Sequence, residues 1–348
     1  MPSIREFLER TPIEASAPCR IDMGGTLDLS TFYLPLHHLA PCTFNAALNM
    51  RTRVRLLPHR DGRIKVSSRG FEPVDVESRS APFTSPVGLM LAVASYFNID
   101  GVHIHIDSTS PPRSALGGSS VAAAALVWAI GKVLAHQGRA MPSPDAVAAL
   151  AHAIEQSIAG VPCGLQDHLA AVYGGVHGWY WTGHVDDPGY VRKAVILADA
   201  YSDFEQRLLV AYCGVPHVSK DINGTWVREF LAGRHRDKWE RIIHHSQAFI
   251  ASLAGADDQG AVTAMNAETD LRVEMTPEVL DAMGSRLVAA ARRQQCGARF
   301  TGAGGGGCIW AMGAPANIAS LRSDWQAILA TRPEAALLDV HVDPNGIL

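Results

Sequence analysis

The sequence predicts a protein of mixed strands and helices, folded as two domains. Its 348 residues exceed the usual size of one small domain. Strand-like segments dominate the first third of the chain, and most of the predicted helices follow them. A polar, turn-rich stretch at 183–205 separates the two halves. We therefore expect one domain over residues 1–195 and a second over residues 196–348.

The first predicted elements are strands. Residues 43–57 are rich in β-forming side chains, and the turn HRDGR at 59–63 connects them to IKVSS at 64–68. This pattern is typical of a β-hairpin. Residues 101–107 alternate apolar and polar side chains with a period of two, which predicts a further strand that ends before Pro111.

Helices are predicted from the middle of the chain onward. The Ala-rich run 121–136 favours a helix, and a second helix should begin near Ser143 and end at Gly160. In the second half we expect helices at 221–233, 236–255, 259–267 and 277–294, and strands at 206–213, 298–300, 308–312 and within 331–343.

Composition excludes several classes of protein. The net charge of −4 and the pI of about 6.4 give no electrostatic footprint for nucleic acid. We find no apolar run of about 18 residues, and no secretory signal at the N-terminus, so we expect a cytoplasmic chain without a membrane span. The six cysteines form no CxxC pair, which argues against a zinc or dithiol site.

The first motif, PPRSALGGSS at 111–120, lies between the last predicted strand and the Ala-rich helix. Glycines let backbone N–H groups turn toward one point, and a helix start adds a positive dipole, so this loop could cradle an anion. The hydroxyls of Ser119 and Ser120 could bind a phosphate or ligate a hard cation such as Mg²⁺. An ordinary helix N-cap would explain the same serines.

The second motif places two carboxylates, Glu155 and Asp167, on either side of the turn VPCG at 161–164. Glu155 lies late in a helix with apolar neighbours, where a bound cation would compensate its burial. Asp167 could project into a cleft and accept the proton of an attacking hydroxyl. Alternatively, Glu155 is a solvated helix residue and Asp167 caps the next helix.

The third motif is the glycine-rich loop TGAGGGGC at 301–308. So many glycines cost chain entropy unless the backbone must approach something closely. A strand follows the loop, whereas a dinucleotide-binding fingerprint opens a helix. We therefore expect this loop to pack against the phosphate loop or against a bound substrate.

Taken in order, the motifs resemble those of the GHMP kinase superfamily, which includes galactokinase, homoserine kinase, mevalonate kinase and phosphomevalonate kinase. Residues 111–120 are similar to a phosphate loop of the form P-x-x-x-G-L-G-S-S-A, and residues 301–308 to a C-terminal TGAGGGGC-like loop. APCRI at 17–21 and GGTLD at 24–28 match an N-terminal A-P-x-R-I segment and a Gly-Gly-Thr-Asp element. The resemblance implies an α+β fold, with an N-terminal α/β domain like ribosomal protein S5 and a ferredoxin-like C-terminal domain. It also implies that ATP and the acceptor meet in the cleft between them.

Within the superfamily, QDHLAAVYGGVHG at 166–178 is similar to sugar kinases that phosphorylate an anomeric hydroxyl, the heptose 7-phosphate kinases in particular. The resemblance implies that Asp167 is the proton acceptor, and that Arg20 keeps it ionised and steadies the transferring phosphoryl group. It assigns Mg²⁺ to Ser119 and Glu155. It assigns the ATP phosphates to Ser114, Ala115, Leu116, Gly117, Gly118, Ser119 and Ser120, and the acceptor to Arg20, Asp28, Gly164, Asp167, Gly304 and Gly305.

Two positions depart from the family pattern. The Glu-His pair of the galactokinase signature has no counterpart in CRIDMGGTLDLSTFY at 19–33. In the phosphate loop, Ala115 replaces the usual Gly and Gly118 replaces the first Ser. The alternatives are therefore a galactokinase or other hexose 1-kinase, and a catalytically inactive regulator that binds ATP and sugar.

The sequence as a whole predicts an ATP- and Mg²⁺-dependent sugar kinase that acts on a small-molecule sugar or sugar phosphate. We expect no nucleic-acid or membrane partner, and we leave a homodimer open. A phosphorylated acceptor would need a basic cluster, for which Arg51, Arg53, Arg113 and Lys220 are candidates. The polar segment 214–223 could reach the substrate from the second domain.

Overall fold

The computed structural model describes residues 3–160, 162–184, 189–215 and 222–348. Within this part of the chain there are two β-sheets and twelve α-helices, so the mixed α+β architecture is confirmed. The first sheet is built from residues 13–196 and the second from residues 208–338. The division of the chain at residue 195 stays a prediction.

The first sheet is organised around one long strand. Its described strands are β1 (Ile13–Met23), β2 (Cys42–Pro58), β3 (Arg63–Ser68), β4 (Val74–Glu77), β5 (Val102–Ser108), β6 (Val176–Trp181) and β7 (Tyr190–Ile196). The order is β4-β3-β5-β2-β6-β7. β2 pairs with β5 through its C-terminal part and with β6 through its N-terminal part. β1 pairs with β2 along most of the length of β2.

The predicted hairpin between residues 43–57 and 64–68 is wrong. Both strands form, as β2 and β3, but β5 lies between them and bonds to each. Ile106 of β5 pairs with Val54, and Ile104 pairs with Val66. This arrangement buries the apolar side chains of β5 in the middle of the sheet. The local turn signal cannot report an insertion that depends on a strand some forty residues further along the chain.

Six helices belong to the first half: α1 (Ile4–Arg10), α2 (Ser30–Tyr33), α3 (Gly88–Tyr96), α4 (Gly118–His136), α5 (Pro144–Ile158) and α6 (Gln166–Tyr173). The start of α5 is confirmed, because the Ser143 hydroxyl accepts a hydrogen bond from the N–H of Ala146. α4 begins at Gly118, three residues before the predicted start, so the hydroxyls of the phosphate loop lie in its first turn.

The second half contains β8 (Leu208–Tyr212), β9 (Gly297–Phe300), β10 (Cys308–Met312) and β11 (Ala336–Leu338), in the order β11-β8-β10-β9. Its helices are α7 (Tyr201–Glu205), α8 (Ile222–Leu231), α9 (Arg236–Ala254), α10 (Asp258–Met275), α11 (Ala282–Arg293) and α12 (Pro315–Leu329). α10 is longer than predicted, and α11 begins five residues later than predicted. α12 is absent from the sequence-based prediction, although Ile318, Leu321, Trp325 and Leu329 follow helical spacing and are buried.

Strand β10 joins the two halves. Cys308, Trp310 and Met312 belong to the core of the first half, whereas Ile309 and Ala311 belong to the core under α11 and α12. This alternation follows from the period of two in a strand. The second sheet therefore packs one face against the first half and the other against its own helices.

Among the described residues, α4 is the one helix long and apolar enough to cross a membrane by length and composition. This differs from the expectation that no such run exists. Inside the molecule, 72% of the most apolar window of α4 is buried, as in a core helix. α4 packs against β1, β2 and α5.

Candidate active site

A cavity of about 680 Å³ lies where β1, the phosphate loop, α6 and the glycine-rich loop meet. Both halves of the chain contribute to its wall, since Arg20 and Asp167 from the first half line it together with Gly302 and Ala303 from the second. The predicted convergence of Arg20 and Asp167 beside the phosphate loop is therefore present in the structure.

Arg20 lies on β1 and lines this cavity. The pairing of β1 with β2 shifts between Pro18 and Cys19, directly before the arginine, and such irregularities re-aim side chains near functional sites. The Arg20 side chain is only 3% exposed. Burial lowers the pKa of Arg20, but Asp167 and Asp22 raise it by more, so its net pKa lies above the ordinary value. Arg20 is a fixed positive charge in the cavity wall.

Asp167 lies in the first turn of α6 and pairs with Arg20. The Nε and Nη2 groups of Arg20 each lie 2.8 Å from Asp167 Oδ1. Asp167 Oδ2 has no hydrogen-bond partner in the described part of the chain and faces the phosphate loop. A Cβ placed on Gly117 would lie 3.4 Å from this oxygen. One carboxylate oxygen is thus held by the cation while the other remains free to accept a proton.

The phosphate loop turns through three residues with positive φ, Arg113 (54°), Ala115 (60°) and Gly117 (83°). Ala115 therefore keeps the left-handed conformation that glycine adopts freely. Gly118 and Ser119 are exposed at the start of α4 and line the cavity, where the positive end of the helix dipole favours an anion.

Ser114, Ala115, Gly117, Gly118, Ser119 and Ser120 all line the cavity. Leu116 was predicted to bind phosphate as well, but its side chain is buried in the core and its carbonyl accepts the N–H of Arg20. Leu116 thus joins the loop to β1 rather than forming part of the cavity wall.

Glu155, on α5, is close to the start of α4. Its Oε2 accepts a hydrogen bond of 2.7 Å from Ser120 and lies 3.0 Å from Nε2 of the fully buried His168. Burial alone would raise the pKa of Glu155, but His168 and the serine hydroxyls hold it below its ordinary value. Ser120 is thus bonded to Glu155, whereas Ser119, the serine predicted to ligate Mg²⁺ together with Glu155, is exposed and lines the cavity.

Asp28 and Gly164, both predicted to bind the acceptor, meet in the wall of the cavity. Asp28 is nearly buried and accepts a hydrogen bond of 3.1 Å from the N–H of Gln166. Burial, and to a smaller extent the charge of Asp167, raises the pKa of Asp28 to about 6. A Cβ on Gly164 would lie 1.6 Å from Asp28 Oδ2, so this position accepts only glycine unless the carboxylate moves. Asp28 also borders a smaller adjoining cavity of about 150 Å³.

The glycine-rich loop packs against the phosphate loop, as the sequence predicts. A Cβ on Gly307 would lie 2.6 Å from the carbonyl oxygen of Ser114. The predicted acceptor-binding residues Gly304 and Gly305 do not line the cavity. Both contact Val279, whose carbonyl accepts the N–H of Gly305, and Gly302 and Ala303 occupy the cavity wall instead.

The basic residues proposed to bind a phosphorylated acceptor do not lie together in the structure. Arg113 lines the cavity, together with Arg69, which the sequence analysis did not single out. Arg51 instead pairs with Asp343, and Arg53 pairs with Glu14. Lys220 lies outside the described residues, as do positions 216–221 of the polar segment 214–223.

Two groups in or beside the cavity were missed by the sequence analysis. Gln166 accepts a hydrogen bond from Asn45 through its side chain and holds Asp28 through its N–H. Asp22 lies beside Arg20. The two residues are two positions apart on β1, and this spacing could have indicated that both face the same side of the strand. Val87 and Met90, at the start of α3, also line the cavity.

Known proteins resemble this chain in sequence and in fold. Residues 86–175, which contain the phosphate loop, Glu155 and Asp167, match the family described as GHMP kinases N terminal domain. A mevalonate kinase of Thermococcus onnurineus is 25% identical over 331 residues, which cover 86% of this chain and 88% of that protein. The probable glucuronokinase 2 of Arabidopsis thaliana is 30% identical over 176 residues, which cover 47% of this chain and 45% of that protein.

Solved structures share the fold. A D-glycero-D-manno-heptose 1-phosphate kinase from Bacteroides thetaiotaomicron has a TM-score of 0.72 at 15% identity, with 96% of this chain and 97% of that chain covered. The galactokinase of Lactococcus lactis, complexed with galactose, has a TM-score of 0.71 at 16% identity, with 99% and 97% covered. Residues 86–175 thus match the N-terminal domain of the GHMP kinases, and the chain shares the fold of such kinases. The similar proteins are kinases, which is consistent with an ATP-dependent phosphotransferase.

Proposed function

We propose that this protein transfers the γ-phosphate of ATP to a hydroxyl group, the anomeric one, of a sugar or sugar phosphate, in the manner of a heptose 7-phosphate kinase. The observation that carries the proposal is the Arg20–Asp167 pair, which shares one cavity with the phosphate loop. The heptose 1-phosphate kinase and galactokinase folds are consistent with such an acceptor.

In this proposal Asp167 Oδ2 accepts the proton of the acceptor hydroxyl as the hydroxyl oxygen attacks the γ-phosphorus of ATP. The bond from that phosphorus to the β,γ-bridging oxygen breaks, and ADP leaves. Arg20 holds the other carboxylate oxygen and places a positive charge beside the transferring phosphoryl group. The amides at the start of α4 bind the phosphates of ATP. Most of the rate enhancement then comes from positioning and charge neutralisation, as in other phosphoryl transfers.

The residues present fit a magnesium ion. Ser119 and Glu155 offer hard oxygen ligands next to the phosphate loop, and His168 and Ser120 hold Glu155 through Oε2. No group of three or more His, Cys, Asp or Glu side chains in the described residues could hold a metal by itself. Mg²⁺ is usually bound by one or two protein ligands together with substrate phosphates and water. When bound, it would neutralise charge on the β- and γ-phosphates.

Asp28 is proposed to bind acceptor hydroxyls, with Gly164 leaving room for its carboxylate. Asp28 and Asp167 make this side of the cavity acidic, which suits a portion of the acceptor that is rich in hydroxyl groups. A carboxylate at the same place, as in mevalonate or a uronate, would be repelled.

A mevalonate kinase activity is the second candidate, because mevalonate kinases are among the relatives that cover most of the chain. An inactive regulator is the third. The sequence-based expectations of a cytoplasmic location, of the domain boundary and of the oligomeric state stay predictions.

The test is ADP release, measured by a coupled assay, with ATP and Mg²⁺ and a panel of acceptors. The panel comprises heptoses with and without a 7-phosphate, galactose, glucuronate and mevalonate. We expect the fastest turnover with a heptose 7-phosphate, and a ³¹P signal of an anomeric phosphate in the product. Preferred turnover of mevalonate would refute the sugar proposal, and binding of ATP and sugar without ADP would identify a regulator.

A further inference from the structure

A chain of alternating charges runs behind the cavity and connects the two halves of the molecule. It passes from Asp167 to Arg20, Asp22, Arg299, Glu268 and Arg272. The last four of these side chains are fully buried. Their charges balance, which is the condition under which ionised groups are tolerated in a protein interior.

At its far end, this chain of charges contacts the segment that precedes Asp28. Arg272 donates hydrogen bonds to the Thr26 hydroxyl at 2.8 Å and to the Gly25 carbonyl at 2.6 Å. Its guanidinium lies 4.7 Å from the ring centroids of both Trp226 and Trp239. The segment that carries Asp28 is therefore anchored to the same set of charges as Arg20.

Asp22 occupies the junction of this chain with the proposed catalytic groups. Its Oδ1 accepts a hydrogen bond of 2.7 Å from the N–H of Gly302 and lies 3.4 Å from Nη1 of Arg20. Its Oδ2 accepts a hydrogen bond of 3.2 Å from Nη1 of Arg299. The Asp22 carboxylate thus contacts both Arg20, which binds Asp167, and the glycine-rich loop, which also lines the cavity.

We propose that Asp22 is a positioning residue for phosphoryl transfer, because its carboxylate fixes both the guanidinium of Arg20 and the backbone of Gly302. Asp22 does not line the cavity, so it acts through these two neighbours. The inference rests on the proposed roles of Arg20 and Asp167.

Asp22 is expected to affect turnover because it is one of the few groups in the described residues that orient the guanidinium of Arg20. Its Nη1 is held by the Ala115 carbonyl at 2.8 Å and by Asp22, while Nε and Nη2 bind Asp167. Without Asp22, the guanidinium would rotate about the Asp167 contact, and the N–H of Gly302 would lose its acceptor. A displacement of about 1 Å at a reacting centre costs on the order of 10²-fold in rate.

Two charge-balanced double variants separate positioning from a purely structural role. Asp22→Asn/Arg299→Gln and Glu268→Gln/Arg299→Gln each remove one buried negative and one buried positive charge from the same chain. They share the Arg299 substitution and differ in whether the carboxylate beside Arg20 is retained. The measurements are thermal unfolding, kcat and KM for ATP with the best acceptor.

We expect kcat to fall about 100-fold in the Asp22→Asn/Arg299→Gln variant, with KM for ATP within about threefold of wild type. The Glu268→Gln/Arg299→Gln variant should retain kcat within about threefold, at a similar midpoint of unfolding. Equal kcat values in the two folded variants would overturn the proposal. A cooperative unfolding transition lost only in the Asp22 variant would also overturn it, since Asp22 would then be needed for folding.

A double-mutant cycle tests whether Asp22 acts through Arg20. In an Arg20→Lys background, Asp22→Asn should lower kcat much less than it does in the wild type, because the guanidinium that it orients is already absent. Full additivity would contradict the inference. Absence of ADP release by the wild-type enzyme with every acceptor would refute the proposed function, whereas the three outcomes above refute only the role of Asp22.

Discussion

Two carboxylates face the acceptor side of the cavity, and their surroundings differ. Asp167 binds the guanidinium of Arg20 and is 21% exposed. Asp28 is buried beside Gly164 and is held by the N–H of Gln166, and no Lys or Arg pairs with it in the described part of the chain. Burial accordingly raises the pKa of Asp28 from 3.8 to about 6.

The difference indicates a division of labour. Asp167 binds Arg20 through one oxygen and leaves the other free to accept a proton from the acceptor, whereas Asp28, a desolvated carboxylate with a raised pKa, is better suited to hydrogen bonding with hydroxyl groups. Substitutions on each side should therefore affect different quantities: turnover on the Asp167 side, and acceptor affinity and stability on the Asp28 side.

The largest effect is expected at Asp167. Asp167→Asn should lower sugar-dependent ADP release by about 10²–10⁴-fold, because the amide cannot accept the proton. ATP affinity, measured by calorimetry, should remain nearly unchanged, since the phosphate loop is intact. Turnover like that of the wild type would remove Asp167 from the mechanism.

Asp28→Asn should raise the acceptor KM by about 10–100-fold through the loss of charge-assisted hydrogen bonds, while kcat falls less than in Asp167→Asn. The matched amide substitutions thus compare the two carboxylates directly. A larger loss of kcat in Asp28→Asn than in Asp167→Asn would reverse the assignment of roles.

The same Asp28 variant should change the pH dependence of stability. Because the folded state binds this proton more tightly than the unfolded state, wild-type stability should fall as pH rises from about 4 to about 6. Asp28→Asn should remove that fall and gain about 1–3 kcal/mol at pH 8, with no gain at pH 4. Chemical denaturation at the two pH values measures the difference, and an equal effect at both would contradict the raised pKa.

Gly164→Ala should disturb the acceptor side alone. The new Cβ would displace the Asp28 carboxylate, so we expect the acceptor KM to rise about tenfold and the KM for ATP to remain unchanged. In an Asp28→Ala background the same change should have little further effect, because the clashing carboxylate is gone. A similar loss in both backgrounds would show that Gly164 acts by another route.

The smallest effect is expected at Ala115, on the Asp167 side. Ala115→Gly relieves a left-handed conformation at φ 60° and should stabilise the protein by about 1 kcal/mol, with kcat unchanged. Gly117→Ala is the opposite control, since it introduces a side chain at φ 83° next to Asp167. A lower melting temperature for Ala115→Gly would contradict the argument from strain.

Much of the local structure could be predicted from the sequence. Ser143 marks the start of α5, the alternation at 101–107 identifies β5, and the glycine-rich loop does pack against the phosphate loop. The predicted hairpin was wrong, and the predicted acceptor-binding residues Gly304 and Gly305 lie against Val279 rather than in the cavity. Each of these two outcomes depends on which distant segment occupies the neighbouring space.

Sequence alone was enough to find the motifs that resemble those of the GHMP kinases, and the residue types that can hold phosphate and accept a proton, since these depend on short segments and their order. Only the tertiary structure decided that Asp22 contacts Gly302 and Arg299, and that Asp28 is buried with no Lys or Arg paired to it among the described residues. Position along the chain carries no information on these contacts, because burial and charge pairing are set by segments that lie up to 280 residues apart.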